Sequence, residues 1–259
     1  MMKIKNQNIL ITGANRGIGL AFAQACAKQK ANLILVVRKN EDVLITELKS
    51  LGAQEVQTIE SDLSTRSGVE NLILKIQNLK IDILFNNAGM LTGGLFDEQK
   101  IDDINQMLQV NVNSLIQLTH AILPKMLAQK NGKIINHSSV SAMMHFPCAS
   151  TYAASKAAVW AFTNCLQQEL KNTGVSTLCL ITPGIKTRMF DEIDKLYSKN
   201  IEVPKDSMTP EKYAQKIISA IESDKTILTP SGVTGLGLMT ATHAKSLFNW
   251  GVAKAFKGR

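Results

Sequence analysis

The chain has 259 residues, of which 45% are hydrophobic and 19% charged, and its formal net charge at pH 7 is +8. These proportions are ordinary for a globular protein with a core, and no apolar run reaches the roughly 20 residues needed to span a bilayer. The basic residues are dispersed and include no arginine-rich block, which argues against nucleic acid as the main ligand and favours a solvated basic surface.

The sulfur and imidazole side chains show no grouping typical of metal ligands. Four cysteines and four histidines are scattered along the chain without CxxC or Cys/His spacing, so we expect no metal site and reduced thiols. The N-terminal segment 1–8 lacks the apolar core of a signal peptide. Together these features predict a cytoplasmic protein.

The first predicted strand is followed by a glycine-rich turn. Residues 8–11 form a short β-branched run, and the turn 12–19 leads into a helical pattern. A turn in this position presents backbone N–H groups and a helix N-terminus to phosphate. Gly13 permits the tight turn, Gly17 lets the backbone approach a pyrophosphate, and Gly19 allows close contact of helix and strand. The spacing is GxxxGxG instead of the commoner GxGxxG.

The second predicted strand, 33–37, is a continuous apolar run that ends at Arg38. In dinucleotide-binding folds an acidic residue near this position binds the ribose of NAD, whereas an arginine accommodates the 2′-phosphate of NADP. No carboxylate stands at the strand end, and Arg16 in the glycine-rich turn supplies a second cation. The pattern favours NADP(H) and leaves NAD(H) possible; the alternative is that Arg38 is only a solvated residue.

Strands and helices alternate along the rest of the chain. Further strands are predicted at 55–60, 81–85, 133–136, 175–181 and 226–229, and helices at 20–30, 41–51, 69–79, 97–110, 111–129 and 150–171. This alternation predicts an α/β fold, a single-domain Rossmann-type, doubly wound parallel β-sheet of about seven strands flanked by helices. The predicted domain spans 1–259, with a core at about 5–230 and a helical C-terminal extension at 231–259.

Tyr152 and Lys156 lie four residues apart on the helix predicted after Ser150. Residues at this spacing share a helix face, so a phenol and an ammonium are adjacent. A free phenol titrates near pH ~10, and a neighbouring cation lowers that pKa towards the working range. The pair therefore suits acid/base chemistry; the alternative is a surface helix with a half-buried tyrosine and a lysine that reaches solvent.

Several short motifs stand in order along the chain: TGANRGIG at 12–19, DL at 62–63, NNAG at 86–89, YAASK at 152–156 and PGIKT at 183–187. Over about residues 5–230 they resemble those of the short-chain dehydrogenase/reductase family. The resemblance implies a catalytic tetrad of Asn111, Ser139, Tyr152 and Lys156, with Ser139 preferred to Ser138 because it precedes the tyrosine by thirteen residues. It implies a cofactor site formed by Gly13, Asn15, Arg16, Gly17, Ile18, Gly19, Arg38, Asp62, Leu63, Asn87, Ala88, Gly89, Tyr152, Lys156, Pro183, Gly184, Ile185 and Thr187.

The resemblance also implies a reaction. Hydride passes between the nicotinamide and a carbonyl or carbinol carbon, Tyr152 is the acid/base, and Lys156 lowers its pKa and holds the nicotinamide ribose. Ser139 binds the substrate oxygen, and Asn111, with a locally adjusted helical backbone, supports Lys156 through water. The expected activity is reduction of a small carbonyl substrate with NADPH. The alternative is a catalytically silent NADP(H)-sensing regulator, which would not need all four residues.

Two segments bear on substrate and partners. Met143, Met144 and Phe146 suggest an apolar pocket for a hydrophobic ketone or aldehyde, although plain packing is an equal alternative and His145 is a weaker candidate. In the tail 244–259, Phe248, Val252, Ala255 and Phe256 share a helix face beside several lysines. Such a helix lies on an anionic membrane or packs within the protein; we favour subunit or core packing, in a homodimer or homotetramer as the resemblance implies.

Overall fold

The computed structural model describes residues 2–39, 42–197, 199–200 and 207–258. Seven strands form one sheet in the order β3-β2-β1-β4-β5-β6-β7, and every neighbouring pair is parallel. The strands are β1 Asn8–Thr12, β2 Asn32–Val37, β3 Glu55–Glu60, β4 Ile83–Asn86, β5 Gly132–Ser139, β6 Val175–Thr182 and β7 Ile227–Leu228. The predicted doubly wound sheet is confirmed.

Ten α-helices are present in the described part of the chain. They are α1 Gly17–Lys28, α2 Asp42–Ser50, α3 Arg66–Ile76, α4 Ile101–Leu108, α5 Ser114–Gln129, α6 Ser150–Glu169, α7 Arg188–Tyr197, α8 Pro210–Glu222, α9 Gly232–His243 and α10 Lys245–Ala255. None of these helices is long and apolar enough to cross a membrane.

Helices cover both faces of the sheet because alternate strand residues point to opposite sides. In β1, Ile9 and Ile11 pack in a cluster with residues of α1, α2 and α8, whereas Leu10 packs in a second cluster with residues of α3, α5 and α6. Both faces of the central strands are therefore buried, which explains their continuous apolar runs.

The strand order reverses between β1 and β4, which lie side by side although three helices and two strands separate them in sequence. Ligands of open α/β sheets bind in the crevice at this point, beyond the carboxyl ends of the strands. The glycine-rich turn follows β1 and the NNAG segment follows β4, so both predicted cofactor motifs flank the crevice.

The helices around Asn111 differ from the prediction. The segment begins with a 3₁₀ turn at Phe96–Glu98, and a π-helical turn, Gln109–Asn113, then joins α4 to α5 without a break. The wider turn inserts one extra residue per hydrogen-bonded ring, which rotates Asn111 into the interior. The predicted start of the second helix, Glu41, lies outside the described residues.

Candidate active site

Three glycines shape the turn after β1. Gly13 and Gly17 have φ of +64° and +55°, in the left-handed region that favours glycine. Gly19 has an ordinary φ, but a Cβ there would lie 2.3 Å from the carbonyl oxygen of Gly13. The turn therefore needs glycine at all three positions: a side chain at Gly13 or Gly17 would strain the backbone, and one at Gly19 would clash with Gly13.

Thr12 and Asn87 fix the glycine-rich turn against the end of β4. The Thr12 hydroxyl accepts hydrogen bonds from the backbone N–H groups of Asn87 (3.0 Å) and Ala88 (2.9 Å). The Asn87 amide donates to the carbonyl oxygens of Thr12 (2.9 Å) and Gly13 (3.1 Å). The Asn87 side chain, predicted to bind cofactor, is thus engaged in holding the turn, and Thr12 is a positioning residue that the motif comparison did not single out.

The N-terminus of α1 faces the same crevice. Arg16 occupies its N-cap position in an extended conformation, and its side chain makes no capping hydrogen bond. The first-turn N–H groups of α1 are therefore disposed to receive an anion. The N–H of Gly13 donates to the carbonyl oxygen of Val36 (2.9 Å), which places the end of β2, and the exposed Arg38 beyond it, beside this turn. The residues present fit a phosphate-bearing dinucleotide.

Two further cofactor motifs lie at neighbouring strand ends. The exposed Asp62 follows β3 and accepts a hydrogen bond from the N–H of Ser64 (3.0 Å), while Leu63 beside it is buried. The second motif, PGIKT at 183–187, follows β6. Its Thr187 lies against Gly17, so that the Thr187 methyl carbon would be 3.3 Å from a Cβ at Gly17. Ile185 of the same motif is buried in the core, so its side chain supports the loop.

Ser139, Tyr152 and Lys156 meet where β5 ends and α6 begins. The Ser139 hydroxyl lies beside the Tyr152 phenol and acts to lower the pKa of that phenol. The Lys156 ammonium lies 5.7 Å from the centroid of the Tyr152 ring and donates to the carbonyl oxygen of His137 (2.9 Å). The neighbouring Ser138 is fully buried and its hydroxyl donates to the carbonyl oxygen of Lys156 (2.8 Å). Only Ser139 of the two serines faces the phenol.

Asn111 lies behind Lys156, held by the π-helical turn. Its amide oxygen accepts from the N–H of Met90 (2.8 Å), and its amide nitrogen donates to the Met90 carbonyl oxygen (2.9 Å) and to the Ser155 hydroxyl (3.1 Å). A Cβ at Gly89 would lie 3.6 Å from the Asn111 amide oxygen and 3.7 Å from the Lys156 ammonium. Gly89 therefore leaves room between these two groups, and all four predicted tetrad members occupy one site.

Burial dominates the electrostatics of this site. It raises the pKa of Tyr152 to about 12, and the hydrogen bond with Ser139 acts in the opposite direction. Burial likewise lowers the pKa of Lys156 to about 8. The expected lowering of the Tyr152 pKa by Lys156 is therefore wrong for this structure: desolvation of the phenolate outweighs any attraction by the ammonium, which is itself destabilised by burial.

His137 joins the two halves of the site, a role that no sequence motif indicated. Burial and the nearby Lys156 lower the pKa of its imidazole to about 3, so the ring is neutral at pH 7. Its Nδ1 lies 3.2 Å from the Asn87 amide oxygen, which can only accept, so Nδ1 carries the proton. Through this bond and its carbonyl oxygen, His137 links Asn87 to Lys156.

Comparison with known proteins identifies the family. The family model for short chain dehydrogenases matches residues 7–197, most of the chain. The chain belongs to the short-chain dehydrogenase family. It is accordingly an oxidoreductase, as the resemblance predicted.

Individual members of the family match nearly the whole chain. Ketoacyl reductase HetN of Nostoc sp. is 27% identical over 266 residues, covering 96% of this chain and 91% of HetN. A short-chain dehydrogenase from Sphingobium yanoikuyae is 23% identical with a TM-score of 0.79, covering 98% and 96% of the two chains. An alcohol dehydrogenase from Comamonas testosteroni is 22% identical with a TM-score of 0.77, covering 94% of each chain. At these identities the two structural likenesses show the fold.

The loop after Ser139 contributes less to this short-chain dehydrogenase's active site than predicted. Met144 is buried against Cys179 and Leu238, and Met143 and Phe146 pack beside it, which agrees with the packing alternative. The exposed His145 lines an apolar groove of about 610 Å³ between α6 and α10. No member of the tetrad lines that groove, which agrees with His145 being the weaker candidate.

Tyr197, at the end of α7, packs on the loop that follows β4 near the tetrad, a contact that sequence analysis did not identify. Its ring packs so tightly on Gly93 that a Cβ there would lie 2.2 Å from a ring carbon, and its hydroxyl donates to the carbonyl oxygen of Thr92 (3.5 Å). Burial, and next the nearby Tyr152, raise the pKa of Tyr197, which places the two phenols in one environment. The adjacent glycines 93 and 94 were the available signal, because an aromatic ring needs a bare backbone for such contact.

The end of the chain packs on the segment around the end of α7. The N–H of Lys257 donates to the carbonyl oxygen of Asn200 (2.8 Å), and the Asn200 amide donates to the carbonyl oxygen of Gly258 (2.7 Å). Phe256 packs in a cluster with Tyr197 and Cys148. The C-terminal residues thus contact both the last residue of α7 and the residues just beyond it.

Proposed function

We propose that this short-chain dehydrogenase reduces a hydrophobic ketone or aldehyde to an alcohol, using NADPH. The observation that supports the proposal best is the meeting of Ser139, Tyr152 and the buried Lys156 in one site, at the sheet edge that carries the glycine-rich turn. The comparisons agree with carbonyl chemistry. HetN is named a ketoacyl reductase, the Comamonas enzyme is described as specific for bulky-bulky ketones, and the Sphingobium enzyme was solved with NADPH.

In this proposal the nicotinamide supplies hydride to the carbonyl carbon. Tyr152 donates its phenolic proton to the substrate oxygen, and its raised pKa keeps the phenol protonated at neutral pH, the state that reduction requires. Ser139 donates a hydrogen bond to the same oxygen and shares the charge that develops there. Lys156 would orient the ribose beside Tyr152, and Asn111 would support Lys156 through water.

Cofactor binding follows from the residues that line the crevice. The glycine-rich turn and the N-terminus of α1 would hold the pyrophosphate, and Arg38 at the end of β2 would pair with the 2′-phosphate. Cytoplasmic action is part of the proposal, supported by four free thiols. So is a homodimer or homotetramer, for which the small exposed side chains of Ala154 and Ala158 on α6 allow close approach of a second subunit.

The proposal is tested with a panel of aliphatic, aromatic and polycyclic ketones and aldehydes, with NADPH oxidation followed by absorbance. We expect turnover of at least one apolar carbonyl, and a loss of about 10³-fold in kcat for Tyr152→Phe with NADPH affinity within about twofold. NADPH binding without turnover of any member of the panel would favour the sensing regulator. Unchanged kcat in Tyr152→Phe would remove Tyr152 from the mechanism.

Arg38→Asp tests the cofactor preference. Loss of the guanidinium and gain of a carboxylate should lower the ratio of kcat/KM for NADPH to that for NADH by about 10²-fold. Lys39→Asp makes the same charge change at the next exposed position and should alter this ratio by less than about threefold. Equal effects of the two variants would mean that the preference arises from the overall surface charge and not from contact of Arg38 with the 2′-phosphate.

A further inference from the structure

The last two helices carry an unusual share of the exposed apolar side chains. Ten large hydrophobic residues are exposed among the described residues, and five of them lie on α9 and α10. We call these five the C-terminal apolar surface: Val233, Leu236, Met239, Leu247 and Trp250. Each is at least 61% exposed, which is costly in water for such a concentration of large side chains.

This surface is separate from the faces that anchor the helices. Leu238 and Ala241 of α9 are buried against Met144, and the Phe248 ring of α10 packs edge-on against Phe146, with centroids 5.7 Å apart. The anchoring face agrees with the packing predicted for Phe248. The outward residues of α10 were not predicted, and they leave this helix apolar on two sides.

The charge around the C-terminal apolar surface has one sign. Residues 225–259 contain four lysines and one arginine and no aspartate or glutamate. On α10, Leu247, Trp250 and Lys254 follow at spacings of three and four residues and share one face. The Lys254 ammonium lies 5.4 Å from the centroid of the Trp250 ring, so a cation stands directly beside the largest exposed apolar group.

These observations distinguish between two occupants. In a symmetric dimer the same patch faces itself, so a second copy would bring lysines against lysines with no carboxylate in the segment to neutralise them. An anionic bilayer complements the lysines, accepts the apolar side chains at the boundary of headgroups and acyl chains, and suits tryptophan and lysine at the interface. We propose that the C-terminal apolar surface docks the protein on a membrane that contains anionic lipids.

The test is flotation of the full chain with vesicles of phosphatidylcholine alone, and of equal parts of phosphatidylcholine and phosphatidylglycerol. We expect binding to the mixed vesicles, at least about tenfold weaker binding to phosphatidylcholine, and release at high salt. Leu247→Ser/Trp250→Ser should weaken binding to the mixed vesicles by about tenfold or more. No binding to mixed vesicles, or equal binding to both kinds, would overturn the proposal.

The matched control is Val43→Ser/Leu74→Ser, which removes two similarly exposed apolar side chains from α2 and α3 and should bind vesicles like the wild type. Thermal unfolding verifies that both double variants are folded. Light scattering measures the oligomeric state of the same variants. If Leu247→Ser/Trp250→Ser lowers the oligomeric state and leaves vesicle binding unchanged, the C-terminal apolar surface is a subunit interface and the membrane proposal is wrong.

Discussion

Two buried lysines lie near opposite ends of strand β5: Lys133 on the strand itself, and Lys156 on the neighbouring helix α6. They differ in how their charge is balanced. Near the amino end, Lys133 is 1% exposed and forms an ion pair with Asp224 (2.8 Å). Near the carboxyl end, Lys156 is 4% exposed, bonds to the carbonyl oxygen of His137, and forms no ion pair with a carboxylate among the described residues.

The lysine with a carboxylate partner stabilises the fold, whereas the lysine without one lies in the candidate active site. A buried ammonium without an anion is destabilising, and burial accordingly lowers the pKa of Lys156 to about 8. At Lys133 the partner carboxylate neutralises the charge, and the pKa of Asp224 is lowered by the hydrogen bond that Lys133 donates. The fold retains an unbalanced charge at the edge where the proposed chemistry would occur, as is common at active sites.

The largest expected effect is that of Lys156→Met. We expect kcat to fall by about 10³-fold because the cation beside Tyr152 is lost, while the free energy of unfolding at pH 7 rises by about 1–2 kcal/mol because an unpaired buried ammonium is removed. This gain in the free energy of unfolding should be full below pH about 8, which is the pKa of Lys156 in the folded protein. It should vanish above pH 10.5, the ordinary pKa of lysine. NADPH-linked kinetics and urea unfolding measure the two effects. If Lys156→Met were less stable than the wild type at pH 7, the buried charge of Lys156 would not be destabilising, and the difference from Lys133 would be wrong.

Ser138 and Ser139, adjacent residues at the carboxyl end of β5, provide a second comparison between stability and function. Ser139→Ala should lower kcat by about 10²-fold with little change in stability, because its hydroxyl faces the Tyr152 phenol. Ser138→Ala should keep kcat within about threefold and lower the free energy of unfolding by about 1 kcal/mol, because it removes a buried hydrogen bond to Lys156. Steady-state kinetics and denaturant unfolding of both variants provide the comparison, and a reversed pattern would assign the catalytic role to Ser138.

At the amino edge, Asp224→Asn should affect stability alone. We expect a loss of about 1–2 kcal/mol, less than for a fully buried pair because the Asp224 side chain is 59% exposed, with kcat within about twofold. Since its folded pKa is lowered, the stabilisation should be full above the ordinary aspartate pKa of about 4 and disappear as the pH falls through the folded value. Unfolding curves against pH measure this loss.

The control for Asp224→Asn is Glu70→Gln, which disrupts the exposed Arg66–Glu70 pair and should cost less than about 0.5 kcal/mol. A comparable loss in the two variants would mean that burial of Lys133 contributes nothing to the Asp224 interaction.

Much of the fold could be predicted because buried parallel strands produce uninterrupted apolar runs, and helix spacing places Tyr152 beside Lys156. The family resemblance implied Ser139 in preference to Ser138, and the Ser138 hydroxyl is used inside the protein in a hydrogen bond to Lys156. Local patterns could not show the pKa of Tyr152, because desolvation depends on every chain segment that surrounds the phenol. Nor could they show the π-helical turn at Asn111, whose register is fixed by the Met90 and Ser155 contacts.

The C-terminal helix shows a second limit. A helical wheel separates Phe248 from Lys245, but it does not reveal that Trp250 stays exposed while Phe248 packs on Phe146, because that depends on which side the rest of the protein approaches. Tyr197 escaped prediction for a similar reason, since its contact with Gly93 joins segments about a hundred residues apart.

The hydrogen bonds between Asn200 and the final residues have a practical consequence for handling the protein. Because Gly258 and Lys257 bond to Asn200, just beyond α7, a purification tag fused after residue 259 would be attached close to Tyr197 and the tetrad. Activities measured on such a fusion would include any disturbance of these contacts by the tag. A tag at the amino terminus, where β1 begins at the opposite edge of the sheet, avoids this interference.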